Sequence, residues 1–343
     1  MSGGVGGVLK WAGKSVEHAI RAVKMHVLLR RRYGTLRPEW VPYPDFEASL
    51  SIDPHDQRAL HKIALDFARR RTARHIRFWR DFTVHLEPAV CLDVGANYGE
   101  CLFSLRYPPA TRVLGVEANP RILPHLERSR DAHPDTSLIH LHHAIAGDDD
   151  RELASLWLEP RWSGRTRAFA GHEDGGERER VEVPATRIDT LVGGLTGPGP
   201  LDGPLVFKID VEGFESFVLR GMARTVAAAP LAVGYVEVDR ELMEAAGASI
   251  SEVDDMLEGF RLFVPERRRG RDQLRPLPSL GELVAGRSGR FHTDVVMVRG
   301  EGTGFGSAQR PPWLPPTWDL LPGAGAGRAG HGPRGSEAGG GRT

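Results

Sequence analysis

Two stretches of the sequence place acidic side chains directly after a short apolar run. In the first, the apolar residues 89–92 lead into D-V-G-A-N-Y-G at residues 93–99. In the second, the largely apolar residues 205–209 lead into D-V-E-G at residues 210–213. Glycine allows positive φ and lets a ligand approach the main chain, and open α/β sheets bind ligands at the carboxyl ends of their strands. Both stretches therefore predict one small-molecule site at this edge of a sheet.

The spacing of the glycines separates the classes of cofactor. A dinucleotide turn needs glycine at relative positions 0, 2 and 5, and from Gly95 these positions hold Gly95, Asn97 and Glu100. A P-loop needs Gly-Lys followed by Ser or Thr, which this turn lacks. S-adenosylmethionine (SAM) has no phosphate and carries a cationic sulfonium and amino group, so an acid such as Asp93 attracts it. The acid followed by G-x-N-x-G at residues 93–99 resembles the first motif of SAM methyltransferases, and this resemblance, together with the missing basic residue, favours SAM.

A second acid follows the next predicted strand, in the sequence E-A-N-P that begins at Glu117. A carboxylate at this position can accept both hydroxyls of a ribose. The alternative is that Glu117 caps the following helix, whose first turn contains Pro120. The predicted cofactor-binding residues are Asp93, Gly95, Ala96, Asn97, Gly99, Glu117, Asn119, Ala144 and Asp210.

Three further acids are the candidates for catalysis. Asp210, Glu212 and Glu237 follow predicted strands, and a carboxylate there could take the proton of a hydroxyl acceptor. Asp210 could instead orient SAM, Glu212 could cap the next helix, and Glu237 could be a surface acid at a strand end. Three clustered acids could also bind a divalent cation, but we assign no metal site.

Strand-like and helix-like runs alternate from residue 90 onward. This alternation predicts a doubly wound α/β sheet of seven strands, with N-terminal helices. We divide the chain into a basic amphipathic segment and linker (1–55), a central domain with lead-in helices (56–300) and a flexible tail rich in glycine and proline (301–343). The helices predicted next to the site are 101–106 after the first strand and 214–228 after the second acidic stretch.

The N-terminal segment has apolar residues at helical spacing, among them Val16, Ile20, Val23 and Val27, and its basic residues lie mostly off that stripe. One interpretation is a helix, within residues 8–32, that makes peripheral contact with an anionic membrane, or an organelle transit segment. The other is an ordinary amphipathic helix docked on the domain or on a partner.

Composition limits the class of protein. Lys plus Arg and Asp plus Glu are each 45, so the formal net charge is +0, which argues against a general electrostatic grip on nucleic acid. Two cysteines make no disulfide framework, and no apolar run reaches the length of a membrane span. We therefore expect a cytoplasmic protein that could lie at a membrane surface. The sequence leaves the oligomeric state open.

The order of the motifs resembles a known family. D-V-G-A-N-Y-G at 93–99, V-E-A-N-P at 116–120, V-P-A-T-R-I-D-T-L at 183–191 and K-I-D-V-E-G at 208–213 are similar to those of FkbM-type methyltransferases. The resemblance implies a class I, Rossmann-like SAM-dependent methyltransferase fold with the last strand antiparallel. It also implies O-methylation of a hydroxyl on a sugar, polyketide or related metabolite.

Two other functions stay open at this point. A scaffold could keep the fold and bind SAM without catalysis. An NAD-dependent oxidoreductase is the less favoured alternative, because the glycine spacing does not fit NAD.

Overall fold

The structure is a computed structural model, and it describes residues 22–170, 178–285, 291–300 and 310–321. The strands are β1 (Trp40–Pro42), β2 (Ser49–Ser51), β3 (Val90–Val94), β4 (Arg112–Glu117), β5 (Ile139–His143), β6 (Ile145–Gly147), β7 (Arg151–Leu158), β8 (Glu179–Arg187), β9 (Leu205–Ile209), β10 (Leu231–Asp239), β11 (Arg261–Arg268), β12 (Arg271–Leu277), β13 (His292–Gly300) and β14 (Trp318–Leu320).

The helices are α1 (residues 22–33), α2 (Leu65–Ala68), α3 (Arg74–Leu86), α4 (Leu123–Asp131), α5 (Ile188–Thr196), α6 (Glu215–Gly221), α7 (Ala223–Ala228), α8 (Arg240–Ala245), α9 (Ile250–Met256) and α10 (Leu280–Val284). A π-helical segment, Ala59–Ala64, leads into α2, and short 3₁₀ turns lie at Thr136–Leu138 and Ser163–Arg165. None of the described helices is both long and apolar enough to cross a membrane.

One large mixed sheet organises the domain. Its strand order is β14-β12-β11-β13-β10-β9-β3-β4-β5, and the five strands from β10 to β5 are parallel. Strand β13 pairs antiparallel with both β10 and β11. The predicted α/β class is confirmed, and β13 is antiparallel as expected. The sheet has nine strands rather than seven, because the arginine-rich stretch after β11 folds back as β12 and residues 318–320 add an edge strand.

Burial explains why the two central strands have such apolar sequences. Every residue of β3 and β9 is buried, as in a parallel strand covered on both faces. Two separate groups of buried apolar side chains pack against this sheet. A smaller sheet, β6-β8-β7, has its own apolar cluster that includes Leu156. The buried strands leave their polar residues at the carboxyl edge, where the site is built.

The predicted linker contains structure. Strands β1 and β2 form an antiparallel hairpin, and Val41, Leu50 and Ile52 are fully buried. The Tyr43 hydroxyl donates to the carbonyl oxygen of Glu100 at 2.8 Å. The hairpin therefore packs against the turn that follows β3, because its apolar side chains have a core to join.

The helix predicted at 101–106 is wrong. This stretch forms turns, with Gly99 N–H donating to the Ala96 carbonyl and Ser104 N–H to the Cys101 carbonyl. Asn97 and Gly99, which precede this stretch, have φ of 50° and 80°, so the chain enters it from a left-handed turn. The predicted helix over 214–228 is present but divides at Met222 into α6 and α7.

Residues 310–321 pack on the domain, so this part of the predicted 301–343 tail is not free. Trp313 and Trp318 are buried, and β14 pairs parallel with β12. The Trp318 indole N–H donates to the Asp81 carboxylate of α3 at 2.9 Å, and its ring lies edge-on to Phe82 at 5.7 Å between centroids. Two large aromatic residues give this segment enough apolar surface to bury. The rest of the predicted tail and residues 1–21 lie outside the described residues.

Candidate functional site

The turn after β3 is held by close backbone contact. Gly95 has φ of 74°, and a Cβ placed there would lie 1.9 Å from the carbonyl oxygen of Asp210. At Gly99, with φ of 80°, a Cβ would lie 2.2 Å from the ring of Phe103. At both positions neighbouring protein atoms leave no room for a side chain, so glycine is required. For Gly95 that neighbour is the end of β9, so this glycine sets how close the two strand ends approach.

Glu117 ends β4 and is fixed by backbone donors. One carboxylate oxygen accepts from Asn97 N–H at 2.7 Å, and the other accepts from Asn119 N–H at 2.8 Å. Burial raises the pKa of Glu117, and these two hydrogen bonds oppose that rise. The helix-capping alternative fails, because α4 begins only at Leu123 and has no side-chain cap. Each carboxylate oxygen keeps a lone pair for a ligand.

Asp93 lies beneath the turn. It is a register partner of Lys208 on β9, and Lys208 Nζ lies 3.1 Å from the Asp93 carboxylate. Lys208 Nζ also donates to the Gly95 carbonyl at 3.1 Å and lies 3.5 Å from Asp210 Oδ2. Burial raises the pKa of Asp93, and Lys208 opposes this. Asp93 thus holds the lysine that ties the two strand ends together.

A cavity of about 470 Å³ opens at the carboxyl edge of the parallel strands. This volume is typical of small-molecule sites. Of the predicted cofactor-binding residues, those that line it are Gly95, Asn97, Glu117, Ala144 and Asp210. Those that do not are Asp93, Ala96, Gly99 and Asn119. Asp93 and Ala96 face a separate small pocket of about 10 Å³ instead.

One side of the cavity is apolar. Its lining residues there are Ala118, Ala144, Ile145, Ala146, Leu156, Ala168 and Phe214. They come from the chain after β4, from the small sheet and from the start of α6. We call these residues the apolar slot, and they lie beside Glu117. A purine with its ribose requires this combination, because the ring needs an apolar surface and the hydroxyls need a hydrogen-bond acceptor.

The opposite side is acidic. Asp210, Glu212 and Glu237 each offer a carboxylate oxygen, and these oxygens lie within 4.8 Å of one another. Lys208 and Arg58 outweigh the effect of burial and hold the pKa of Asp210 below its ordinary value. Burial first, and then Asp210 and Glu212, raise the pKa of Glu237 to about 11. Glu237 therefore keeps its proton at neutral pH and hydrogen-bonds to Asp210.

Glu212 is strained and differs from its neighbours in acidity. Its φ is 54°, and burial followed by the charge of Asp210 raises its pKa to about 8. It does not cap α6, which has no side-chain cap. That region is held by Glu215, which accepts the N–H groups of Val211 and Gly213. The free carboxyl of Glu212 consequently lines the cavity.

These three acids could also hold a divalent cation. Carboxylate oxygens are the ligands that Mg²⁺ and Ca²⁺ prefer, and the spacing within the cluster permits a shared ion. The shared proton between Asp210 and Glu237 satisfies the same oxygens without an ion. A shared proton and a bound cation are therefore two alternative ways of balancing the charge of this cluster.

Residues from the N-terminal elements complete the cavity, and sequence reasoning missed them. The Arg58 guanidinium donates to Asn97 Oδ1 at 3.0 Å and to Glu100 Oε1 at 2.9 Å. His75, at the start of α3, lines the cavity, and burial followed by the charge of Lys208 lowers its pKa. Neither residue stands in a motif, so only the packing of these elements on the turn reveals them.

The far wall comes from β10 and β13, where Tyr235, His292 and Asp294 join the lining. Glu237 and Asp294 are register partners, and His292 Nε2 lies 3.4 Å from Glu237 Oε1. On the near side, Trp162 also lines the cavity, with Arg165 over its ring at 5.7 Å. The acidic end is therefore surrounded by groups that can hydrogen-bond to a hydroxylated small molecule.

The fold and site define a class of protein: a doubly wound α/β domain with a small-molecule cavity at the carboxyl edge of its strands, where an apolar wall beside Glu117 faces an acidic cluster. Residues 93–263 match the family model described as "Methyltransferase FkbM domain". The match covers the first turn, both acidic strand ends and Glu237. The chain carries a methyltransferase FkbM domain over these residues, which confirms the resemblance seen in the motifs.

Other comparisons are more distant, and no curated protein matches the chain. An O-methyltransferase from Bacillus cereus, solved with SAH, is 8% identical over 66% of this chain and 80% of its own, with a TM-score of 0.36. The O-methyltransferase TomG from Streptomyces achromogenes, solved with SAM, is 14% identical over 67% and 81%, with a TM-score of 0.34. Precorrin-6y C5,15-methyltransferase from Geobacter metallireducens is 11% identical over 67% and 92%, with a TM-score of 0.32.

Proposed function

We propose that this protein is a SAM-dependent O-methyltransferase that acts on a hydroxyl of a small metabolite such as a sugar or polyketide. The observation that carries the proposal is the arrangement of one continuous cavity, which joins Glu117 at the end of β4 to Glu237 near the end of β10. Three strand spacings separate β4 from β10 in the sheet, roughly 14 Å at the usual distance between strands. That span accommodates a nucleoside at one end and an acceptor at the other.

The residues of the first half fit SAM. Glu117 would accept the ribose hydroxyls, the apolar slot around Ala144 and Leu156 would take the adenine, and the turn at Gly95 and Asn97 would border the amino acid part. When bound, SAM supplies an electrophilic methyl group on a positively charged sulfur. The acidic half of the cavity favours that positive charge.

The residues of the second half would prepare the acceptor. A hydroxyl must lose its proton as its oxygen takes up the methyl group, and a side chain with a pKa near the working pH is the most effective acceptor for that proton. Glu212, with its pKa raised to about 8, meets this condition best. Glu237 is protonated and would donate a hydrogen bond, and Asp210 would stay ionised beside Lys208.

His75 is the second candidate for the proton acceptor. It lines the same part of the cavity, and its lowered pKa leaves the imidazole neutral at pH 7. Holding the acceptor in line is expected to matter more than either base, since positioning can supply about 7–11 kcal/mol of barrier reduction. The rate as a function of pH separates the two residues, as set out in the Discussion.

Two measurements test the proposal. Isothermal titration of the purified chain with SAM and with NAD should give binding to SAM alone. Transfer of a labelled methyl group from SAM to small-molecule extracts of the host should then yield a methyl ether, identified by mass spectrometry. Asp210→Asn should abolish transfer, whereas Asp255→Asn, at an exposed position of α9, should not change it.

The failures are distinct. Binding of NAD without SAM would overturn the methyltransferase proposal in favour of an oxidoreductase. Binding of SAM with a methylated nitrogen in the product would reject O-methylation but leave the methyltransferase proposal intact. Binding of SAM without transfer to any extract would support the non-catalytic scaffold.

A further inference from the structure

Helix α1 packs on the domain through one face. Leu29 is buried, and Met25, Leu28 and Tyr33 pack against the same apolar cluster. The Tyr33 hydroxyl donates to the carbonyl oxygen of Ala64 at 2.7 Å. These contacts fix α1 to the segment that leads into α2, so the orientation of the helix on the domain is defined.

A different face of α1 is apolar and points away from the domain. Val23 and Val27 are one helical turn apart and are 60% and 61% exposed. In the sequence, Val16 and Ile20 continue the same spacing upstream. Val23 and Val27 therefore do not dock α1 on its own domain. Contact with a membrane or with a partner would account for their exposure.

The segment that carries this stripe is strongly basic. Up to residue 33 it has seven Lys or Arg and one acid, Glu17, in a chain whose total charge is balanced. Lys24, Arg30 and Arg31 are exposed and make no salt bridge with any residue in the described ranges. An exposed apolar stripe flanked by unpaired cations is the pattern of a helix that lies on anionic lipid.

We propose that α1 places this protein on an anionic membrane surface, with Val23 and Val27 entering the headgroup boundary and Lys24, Arg30 and Arg31 contacting lipid phosphates or carboxylates. Charge complementarity selects lipid as the occupant. A protein partner of matching shape would need acidic groups around an apolar groove, whereas an anionic bilayer offers both along its whole surface. This inference concerns a surface outside the cavity and does not depend on the proposed reaction.

The test is co-sedimentation of the full chain with phosphatidylcholine vesicles that contain or lack phosphatidylserine. We expect binding only to the vesicles with phosphatidylserine, weakened by added salt because the charge contribution is screened. The double variant Val23→Asp, Val27→Asp should reduce binding at least tenfold, on the order expected when both the apolar and the electrostatic contributions are lost. Arg30→Glu with Arg31→Glu should reduce binding at low salt and lose the salt dependence.

The matched control is Val84→Asp. Val84 is a valine of α3 with 63% exposure, so the substitution adds one carboxylate, half the charge of the double variant, at an equally exposed apolar site. It should leave vesicle binding unchanged, and thermal melting should show that all variants are folded. Equal binding of the Val23, Val27 variant, equal binding to pure phosphatidylcholine, or no binding to either vesicle would overturn the proposal. The last result would leave a protein partner as the occupant of the stripe.

Discussion

The two halves of the cavity are built in different ways. At the Glu117 end the polar groups are already paired with backbone N–H groups, and the surrounding wall is apolar. At the Asp210 end, three carboxyl groups crowd together and their pKa values diverge, below the ordinary value for Asp210 and to about 8 and 11 for Glu212 and Glu237. We call the Glu117 end the receptor half, because its polar groups are already held by backbone hydrogen bonds, and the Asp210 end the acidic half, because its carboxyl groups differ in protonation.

The largest effect should come from the turn that joins the halves. Gly95→Val would drive its side chain into the Asp210 carbonyl, which is only 1.9 Å from the position of a Cβ, at a φ that valine rarely adopts. We expect no measurable SAM binding by isothermal titration. Gly193→Ala is the control, since a Cβ there meets no atom within 4 Å. Unchanged SAM affinity in Gly95→Val would mean that the turn is not part of the receptor half.

A change in the acidic half should affect turnover and not cofactor binding. Glu212→Gln should lower kcat by about 100- to 10,000-fold, the usual contribution of a general base, with the Kd for SAM nearly unchanged. Steady-state assays and titration measure the two effects separately. Glu258→Gln, at an exposed position, is the control. A loss of SAM affinity equal to the loss of rate would erase the distinction between the halves.

The dependence of kcat on pH distinguishes Glu212 from His75 as the proton acceptor. Below its pKa of about 8, Glu212 carries a proton and cannot accept another, so kcat should rise with pH through about 8. If His75 is the base, its lowered pKa means that the rise falls below pH 6.5 and the rate is flat above it. A profile of that second form, retained in Glu212→Gln, would move the role to His75.

A smaller effect is expected at the receptor end. In Glu117→Gln, the amide cannot accept from both Asn97 N–H and Asn119 N–H, because one of its two polar atoms is a donor. The amide also replaces the charged acceptor that a ribose hydroxyl would use, a contact worth about 1.5–3 kcal/mol, so the Kd for SAM should rise roughly 10- to 150-fold. Glu127→Gln on the exposed face of α4 should leave it unchanged. An effect on kcat at saturating SAM would contradict the division.

The smallest effect should follow removal of divalent cations. The proton that Glu237 shares with Asp210, together with Lys208, already balances the acidic cluster. We therefore expect a chelator to leave methyl transfer unchanged within experimental error. Loss of transfer on chelation, restored by Mg²⁺, would identify Asp210, Glu212 and Glu237 as metal ligands.

Part of the receptor half was predicted to face a cavity and does line one, because its residues lie close together along the chain. Gly95, Asn97 and Glu117 belong to short strand-turn motifs whose geometry is local. The class of fold followed from the alternation of strands and helices. Asp93 was harder to interpret: its partner Lys208 lies on β9, and only the parallel register of β3 and β9 shows that they pair.

The other half could be predicted only in part. Asp210, Glu212 and Glu237 stand at strand ends and were recognised, but their different acidities depend on burial that spacing does not reveal. Arg58 and His75 come from elements that precede the sheet, and no motif marks them. The two extra strands were not predicted for a related reason. β12 is charged and β14 is short, and both depend on tertiary pairing.

The contact between Trp318 and α3 connects the last described residues of the chain to a wall of the cavity. The Trp318 indole contacts Asp81 and Phe82 of α3. His75 lies about two turns earlier in the same helix and lines the cavity. Truncation after residue 309 would seem harmless from composition alone, but it would remove the contacts of Trp318 with Asp81 and Phe82. One wall of the cavity is thus anchored by residues 310–321, none of which lines the cavity.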